Sequence, residues 1–176
     1  MKEKLYVESL LLKRNVEDLR DLALNPEEYY ISIQDNQEDA INLLKSLKEL
    51  RDEKAVFYVD GVIFIKLGWK VIIPYGFWDE ISSLWPYLIN LIEDYQIEGK
   101  AECSFPNQPI TLEITKLDSR FLLFSVDDNK IKIDEQYFIS TLLTAAEDYF
   151  TFLHKAIGEF DSFEINRINK LKAHIT

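Results

Sequence analysis

The chain has 176 residues, with 31 Asp and Glu against 20 Lys and Arg, for a net charge of −11 and a pI near 4.7. Only two His, one Cys and five Gly are present, so nucleophilic triads, closed metal sites and glycine-rich phosphate loops have little to draw on. A content of 47% apolar and 13% aromatic residues supplies a real core and excludes a disordered chain, while the negative charge repels phosphate backbones and argues against nucleic acid.

The length suits one domain, residues 1–176, with Gly99-Lys100 as the alternative boundary. A lone Cys103 excludes an intramolecular disulfide and suits a reducing compartment. The opening residues lack the apolar run of a signal peptide, and no run approaches the roughly 20 residues needed to cross a bilayer. The expectation is a cytoplasmic protein that does not enter membranes.

In chain order, Leu5–Leu12 reads as a strand or as the start of a helix, and Asn15 as the cap of a short helix over Val16–Leu24. Asn25-Pro26 breaks the chain, because proline disfavours helix at the residue before it. Tyr29–Ile33, aromatic and β-branched, predicts a short strand. Asn36 then caps a helix with Glu38 and Asp39 in its first turn, an apolar stripe through Ile41, Leu44 and Leu47, and an end near Glu53.

The centre predicts a β meander. Ala55–Val59 and Val62–Leu67 flank Asp60-Gly61, a strong hairpin signal, and Gly68 permits a further turn before Trp69–Ile73. A second helix starts at Ser82 or Ser83, which keeps Pro86 in its first turn, and Gly99 stops it. Between Leu84 and Ile92 only Asn90 is polar, the pattern of a helix buried on more than one side.

Strand periodicity returns at Ile110, Leu112 and Ile114, which alternate with Thr111, Glu113 and Thr115. Phe121–Val126 is apolar on both faces, as a central strand is, and Asp127-Asp128-Asn129 turns the chain into Lys130–Ile133. Asp134 caps a long helix to Ile157 with Gly158 as its stop, and Asp161 or Ser162 opens a terminal helix. Strands in runs joined by short turns define an α+β fold: antiparallel sheet from hairpin-connected strands, packed against three or four helices.

The search for chemistry yields mainly exclusions. His154 lies beside the apolar stripe of the last long helix and His174 at the chain end, and neither has companion ligands. Cys103 sits in an apolar stretch with no base near it in sequence. Asp35–Asp39 echoes a calcium loop but carries Ala40 where the loop needs glycine. Glu113 and Lys116 echo a nuclease pair, at a spacing that points them to opposite faces. No metal or other cofactor is expected, and an enzyme is the less favoured reading.

Charge is uneven. Residues 17–39 hold eight acids against Arg20 alone, and residues 77–99 hold five acids and no base. The second run is preceded by and mixed with aromatics, so Tyr75, Phe77, Trp78, Asp79, Glu80 and Trp85 form the candidate partner-binding set, rings to bury and acids to steer a basic protein. A small acidic chain without catalytic apparatus resembles, in character only, the immunity proteins of bacterial toxin systems; no motif carries residues over. The alternative is a carboxylate-based enzyme or ligand-binding protein, with two acids converging in a pocket between sheet and helix.

Overall fold

The computed structural model describes residues 3–49, 58–158 and 162–175. It is α+β, with two antiparallel sheets and, among the described residues, five α-helices rather than three or four.

The first sheet has strand order β2-β1-β3-β4, from β1 (Leu5–Leu12), β2 (Tyr30–Ser32), β3 (Asp60–Leu67) and β4 (Lys70–Ile73). A two-residue strand, β5 (Asp79–Glu80), also pairs with β3. The second sheet is a plain meander of β6 (Lys100–Ser104), β7 (Thr111–Lys116), β8 (Phe121–Val126) and β9 (Asn129–Asp134). The helices are α1 (Leu19–Leu24), α2 (Gln37–Glu49), α3 (Ile81–Glu98), α4 (Glu135–Ile157) and α5 (Ser162–Ala173).

Leu5–Leu12 is thus a strand, and it lies inside its sheet with β2 on one side and β3 on the other. The first helix starts later than Asn15 suggests. Asp18 is its cap, because the Asp18 carboxylate accepts from the amides of Arg20 at 2.7 Å and Asp21 at 3.3 Å, satisfying donors that a helix start leaves open. Asn36 occupies the expected place before α2, its carbonyl accepting from the Ala40 amide at 3.0 Å. The part of that helix expected beyond Glu49, and residues 55–57 of the expected Ala55–Val59 strand, lie outside the described residues.

The Asp60-Gly61 hairpin does not form. Both residues belong to β3, where Gly61 pairs with Leu11 on one side and Asp79 on the other. Glycine is needed for close approach, since a Cβ at Gly61 would stand 2.1 Å from the Leu10 carbonyl oxygen. The further turn expected at Gly68 does form, as Gly68-Trp69 with Gly68 at φ +56°, and β4 begins at Lys70, one residue after the expected Trp69.

Helix α3 begins at Ile81, before the serines, so Pro86 falls in the second turn and the usual bond to the Ser82 carbonyl is forgone. The helix packs against β3 and β5 of one sheet, β6 and β7 of the other, and α4 and α5. Eight of its residues are buried, as an apolar circumference requires. Gly99 ends it at φ +73°, and the Gly99 amide donates to the Tyr95 carbonyl at 2.8 Å. Helix α4 runs from the Asp134 cap to Gly158 at φ +71°, and Phe138, Leu142, Ala145, Tyr149, Phe152 and Ala156 are all buried along it. One buried cluster links both sheets with these helices. No helix among the described residues is long and apolar enough to cross a membrane.

Candidate functional site

The loop from Pro74 to Glu80 leads from β4 into α3. Phe77 closes a turn by donating its amide to the Pro74 carbonyl at 3.0 Å. Tyr75 lies flat on Phe64, with centroids 4.5 Å apart and planes 12° apart, and its carbonyl accepts from the Tyr30 hydroxyl at 2.6 Å. Phe77 meets Phe105 edge-on at 6.5 Å. Tyr75, Phe77 and Trp78 are each half-buried.

The other three candidates do not offer a surface. Asp79 is 2% exposed, and its carboxylate accepts from the backbone amides of Asn107, Gln108 and Glu80 and from the Asn107 side chain, at 2.6–2.9 Å. The Gln108 side chain also donates to the Trp78 carbonyl. Asp79 therefore ties the loop to the β6–β7 connection, and with four donors on its two oxygens it has no acceptor capacity left for a partner. Glu80 is buried too and accepts from the hydroxyls of Ser82 at 3.0 Å and Ser83 at 2.6 Å. Trp85 is wholly enclosed, its indole N–H donating to Ser9 Oγ at 3.0 Å. The candidate set is thus split between a surface loop and the core beneath it.

What lies beside Trp78 was not evident from sequence. A cleft of about 310 Å3 is lined by Trp78, Gly76, Asp60, Asn107 and Gln108, and by Leu19 from α1. Leu19 and Leu24, both on α1, are largely exposed, as is Tyr58. Glu17, Asp18, Glu27, Glu28, Asp35, Glu38 and Asp39 of the first acidic run are exposed. The cleft thus brings Leu19, from the segment of the first acidic run, to Trp78, which adjoins the second.

Within the cleft Asp60 is the exposed carboxylate. Partial desolvation and then Glu80 and Asp79 push its pKa above the ordinary Asp value. That is one half of the acid pair a carboxylate mechanism needs. Asp79 lines the same cleft but is held by its four donors, and among the described residues no second uncommitted acid lines it.

The remaining candidates have structural places. Cys103 lies on β6, an element whose weak alternation hid it, and burial, followed by Glu102 and Asp94, pushes its thiol up to about 12. Glu113 pairs with Lys100 at 3.5 Å while Lys116 pairs with Glu135 at 3.2 Å, so the two do not act together. His154 is exposed in the last turn of α4, and His174 Nδ1 lies 2.8 Å from the Lys170 carbonyl. Asp35 and Asn36 sit in the turn before α2. A larger cleft of about 720 Å3, between the ends of α3 and α5 and the start of α4, is lined by cations already in ion pairs, Lys116 with Glu135 and Arg120 with Asp134. No protein-family model, curated protein or solved structure matches this chain.

Proposed function

We propose that this chain is a non-catalytic protein-binding domain that takes a basic protein partner, in the manner of an inhibitor that neutralises a toxin or other cationic protein. The observation that carries it is the meeting of exposed Leu19 and half-buried Trp78 in one cleft, beside the exposed carboxylate of Asp60. Apolar anchors inside a polar rim are the usual anatomy of an interface, and a rim of one sign raises the rate of encounter with the opposite sign. Tyr75 and Phe77 extend the same loop, whereas Asp79, Glu80 and Trp85 act by holding it in place. The single half-buried cysteine fits a reducing, cytoplasmic setting, and the acidic face disfavours nucleic acid.

The test is retention of an identified partner by wild type and by Trp78→Ala/Asp60→Lys. The expected result is a basic protein held at low salt, released by high salt, and retained at least ten-fold less by the variant, whose melting stays within a few degrees of wild type. An acidic partner, or equal retention by the variant, removes this reading. The alternative, a carboxylate-based enzyme or ligand-binding protein, has Asp60 in its favour, with its raised pKa inside the cleft.

A further inference from the structure

Glu8 is a buried carboxylate with no cation on it among the described residues. At 8% exposed, it projects from β1 on the opposite face from Ser9, away from the Trp85 bond. Both its oxygens are held by neutral hydroxyls, Oε2 by Tyr6 and Oε1 by Ser32, each at 2.5 Å. Among the described residues it makes no ion pair. Buried charges are ordinarily paired, because hydroxyl bonds recover only part of the lost hydration.

Aromatic rings surround this carboxylate. Tyr6 meets Phe64 edge-on at 6.3 Å, Phe64 stacks on Tyr75 at 4.5 Å, and Tyr75 leans on Tyr30 at 6.0 Å. Tyr6 and Tyr75 are half-buried residues, not enclosed ones. Further acids bear on the same rings: Glu8 and Asp35 help raise the pKa of Tyr6, and Glu8 and Glu27 that of Tyr75, in each case after burial. A cation already visits this face. Lys66 Nζ lies 5.2 Å from the centre of the Tyr6 ring, on the ring and not on the carboxylate.

We infer that the Tyr6–Glu8–Tyr75 patch is the subsite that receives an arginine side chain of the partner, a reading that rests on the protein-binding function proposed above. A guanidinium is planar and weakly hydrated, so it stacks on tyrosine while its N–H groups turn toward a carboxylate; a lysine ammonium does only the second well. The patch adjoins the cleft through the loop itself, since Tyr75 belongs to the patch and Gly76 and Trp78 line the cleft. A partner seated on Trp78 and Leu19 is thereby placed to send an arginine across Tyr75.

The probe is the capped peptide acetyl-Gly-Arg-Gly-amide, titrated into the full chain at low salt while the tyrosine ring resonances are followed by NMR. The expected result is a saturable shift of the Tyr6 and Tyr75 rings, at least ten-fold weaker for the isosteric citrulline peptide and at least five-fold weaker in Glu8→Gln. Tyr75→Leu leaves Glu8 and its hydroxyl partners in place and serves if Glu8→Gln does not fold; there the Tyr6 shift must weaken to the same extent. Equal shifts with citrulline, or titration unchanged by the substitutions, overturns the inference. Retention by wild type, set beside the peptide titration, separates the two readings. If the arginine peptide still titrates but wild type retains no basic protein, the protein-binding function fails while the cation subsite stands. If a basic protein is retained and the peptide does not titrate, only the subsite fails.

Discussion

Asp79 binds Asn107 twice, through the backbone amide and through the side-chain amide, both at 2.9 Å. The two residues are 28 positions apart, on the approach to α3 and on the β6–β7 connection. The bond joins those from Gln108 to Asp79 and Trp78 and from Tyr30 to Tyr75 in holding the Trp78 loop over the core. Replacing the buried Asp79 by Ala leaves the amides of Asn107, an exposed residue, and of half-buried Gln108 without their acceptor. A cost of about 2–4 kcal/mol is expected, since bonds to a charged acceptor are the stronger ones and orphaned donors carry a desolvation penalty. For a chain of this size that is a fall of roughly 5–15 °C in Tm. Chemical denaturation measures it, and a loss below about 1 kcal/mol would show that the carboxylate does not hold the loop.

Gly61 and Gly76 make a matched pair of positions. A methyl group at Gly61 meets the Leu10 carbonyl at 2.1 Å, a contact with backbone of a central strand that no rotamer relieves, while at Gly76 nothing lies within 4 Å. Gly61→Ala should cost at least about 3 kcal/mol, whereas Gly76→Ala should stay within about 0.5 kcal/mol. Unfolding curves of the two variants decide between close approach and turn at Gly61, since a glycine serving only a hairpin turn would not sit against a neighbouring backbone.

That pair also marks where the sequence was legible. Elements ended by local signals were read to the residue: α4 runs from its Asp134 cap to Gly158, and α3 stops at Gly99, because an N-cap carboxylate and a left-handed glycine act within one turn. Strand β8 was equally plain, since Phe121–Val126 is apolar on both faces and central in its sheet. Asp60-Gly61 misled because the same dipeptide serves a hairpin or a crowded strand, and only the position of β1 separates the two. Trp85, enclosed, and Trp69, 100% exposed at a turn, are alike in composition and opposite in use. Asp79 read as a rim charge because its donors come from Asn107 and Gln108. Leu19 and Glu8 drew no attention, since what gives each its interest (Trp78 in one case, Tyr75 and Phe64 in the other) arrives through the fold.

Asp60 and Asp21 should shift stability with pH in opposite directions. The folded-state pKa of Asp60 is raised, so the folded protein holds that proton more tightly than the unfolded chain. Stability is then lost as pH rises from the unfolded value near 3.8 through the folded one. Asp60→Asn should therefore be more stable than wild type at pH 7, by less than about 1 kcal/mol because water screens this exposed group, and the difference should vanish below the unfolded pKa. Asp21 is held low, first by the hydrogen bond from Tyr29 and then by that from Asn25. Its contribution is present above the unfolded pKa and is lost as pH falls through the folded one, so Asp21→Ala should be less stable than wild type at pH 7, with the gap narrowing in acid. Denaturation midpoints of the two variants against wild type at pH 7 and pH 3 test both signs at once.

The Cys103 thiol offers a check on β6, the strand the sequence did not announce. Burial, with Glu102 and Asp94 adding to it, sets its pKa at about 12, against 9.0 for the free group. The thiolate is the reacting species, so at pH 8 the native fraction available to an alkylating reagent is smaller by roughly the thousand-fold that three pKa steps imply, and limited access lowers the rate further. Native protein at pH 8 should label with a maleimide at least about 100-fold more slowly than the same chain in denaturant. The native rate should also climb tenfold for each pH step up to pH 10, the mark of a high pKa; a thiol that is shielded by sterics alone, at an ordinary pKa, would level off near pH 9. A native rate comparable to that in denaturant would mean that Cys103 is not held against the core by β6 and α3, and would remove the basis for treating the second sheet as a rigid support for the Asp79–Asn107 contact.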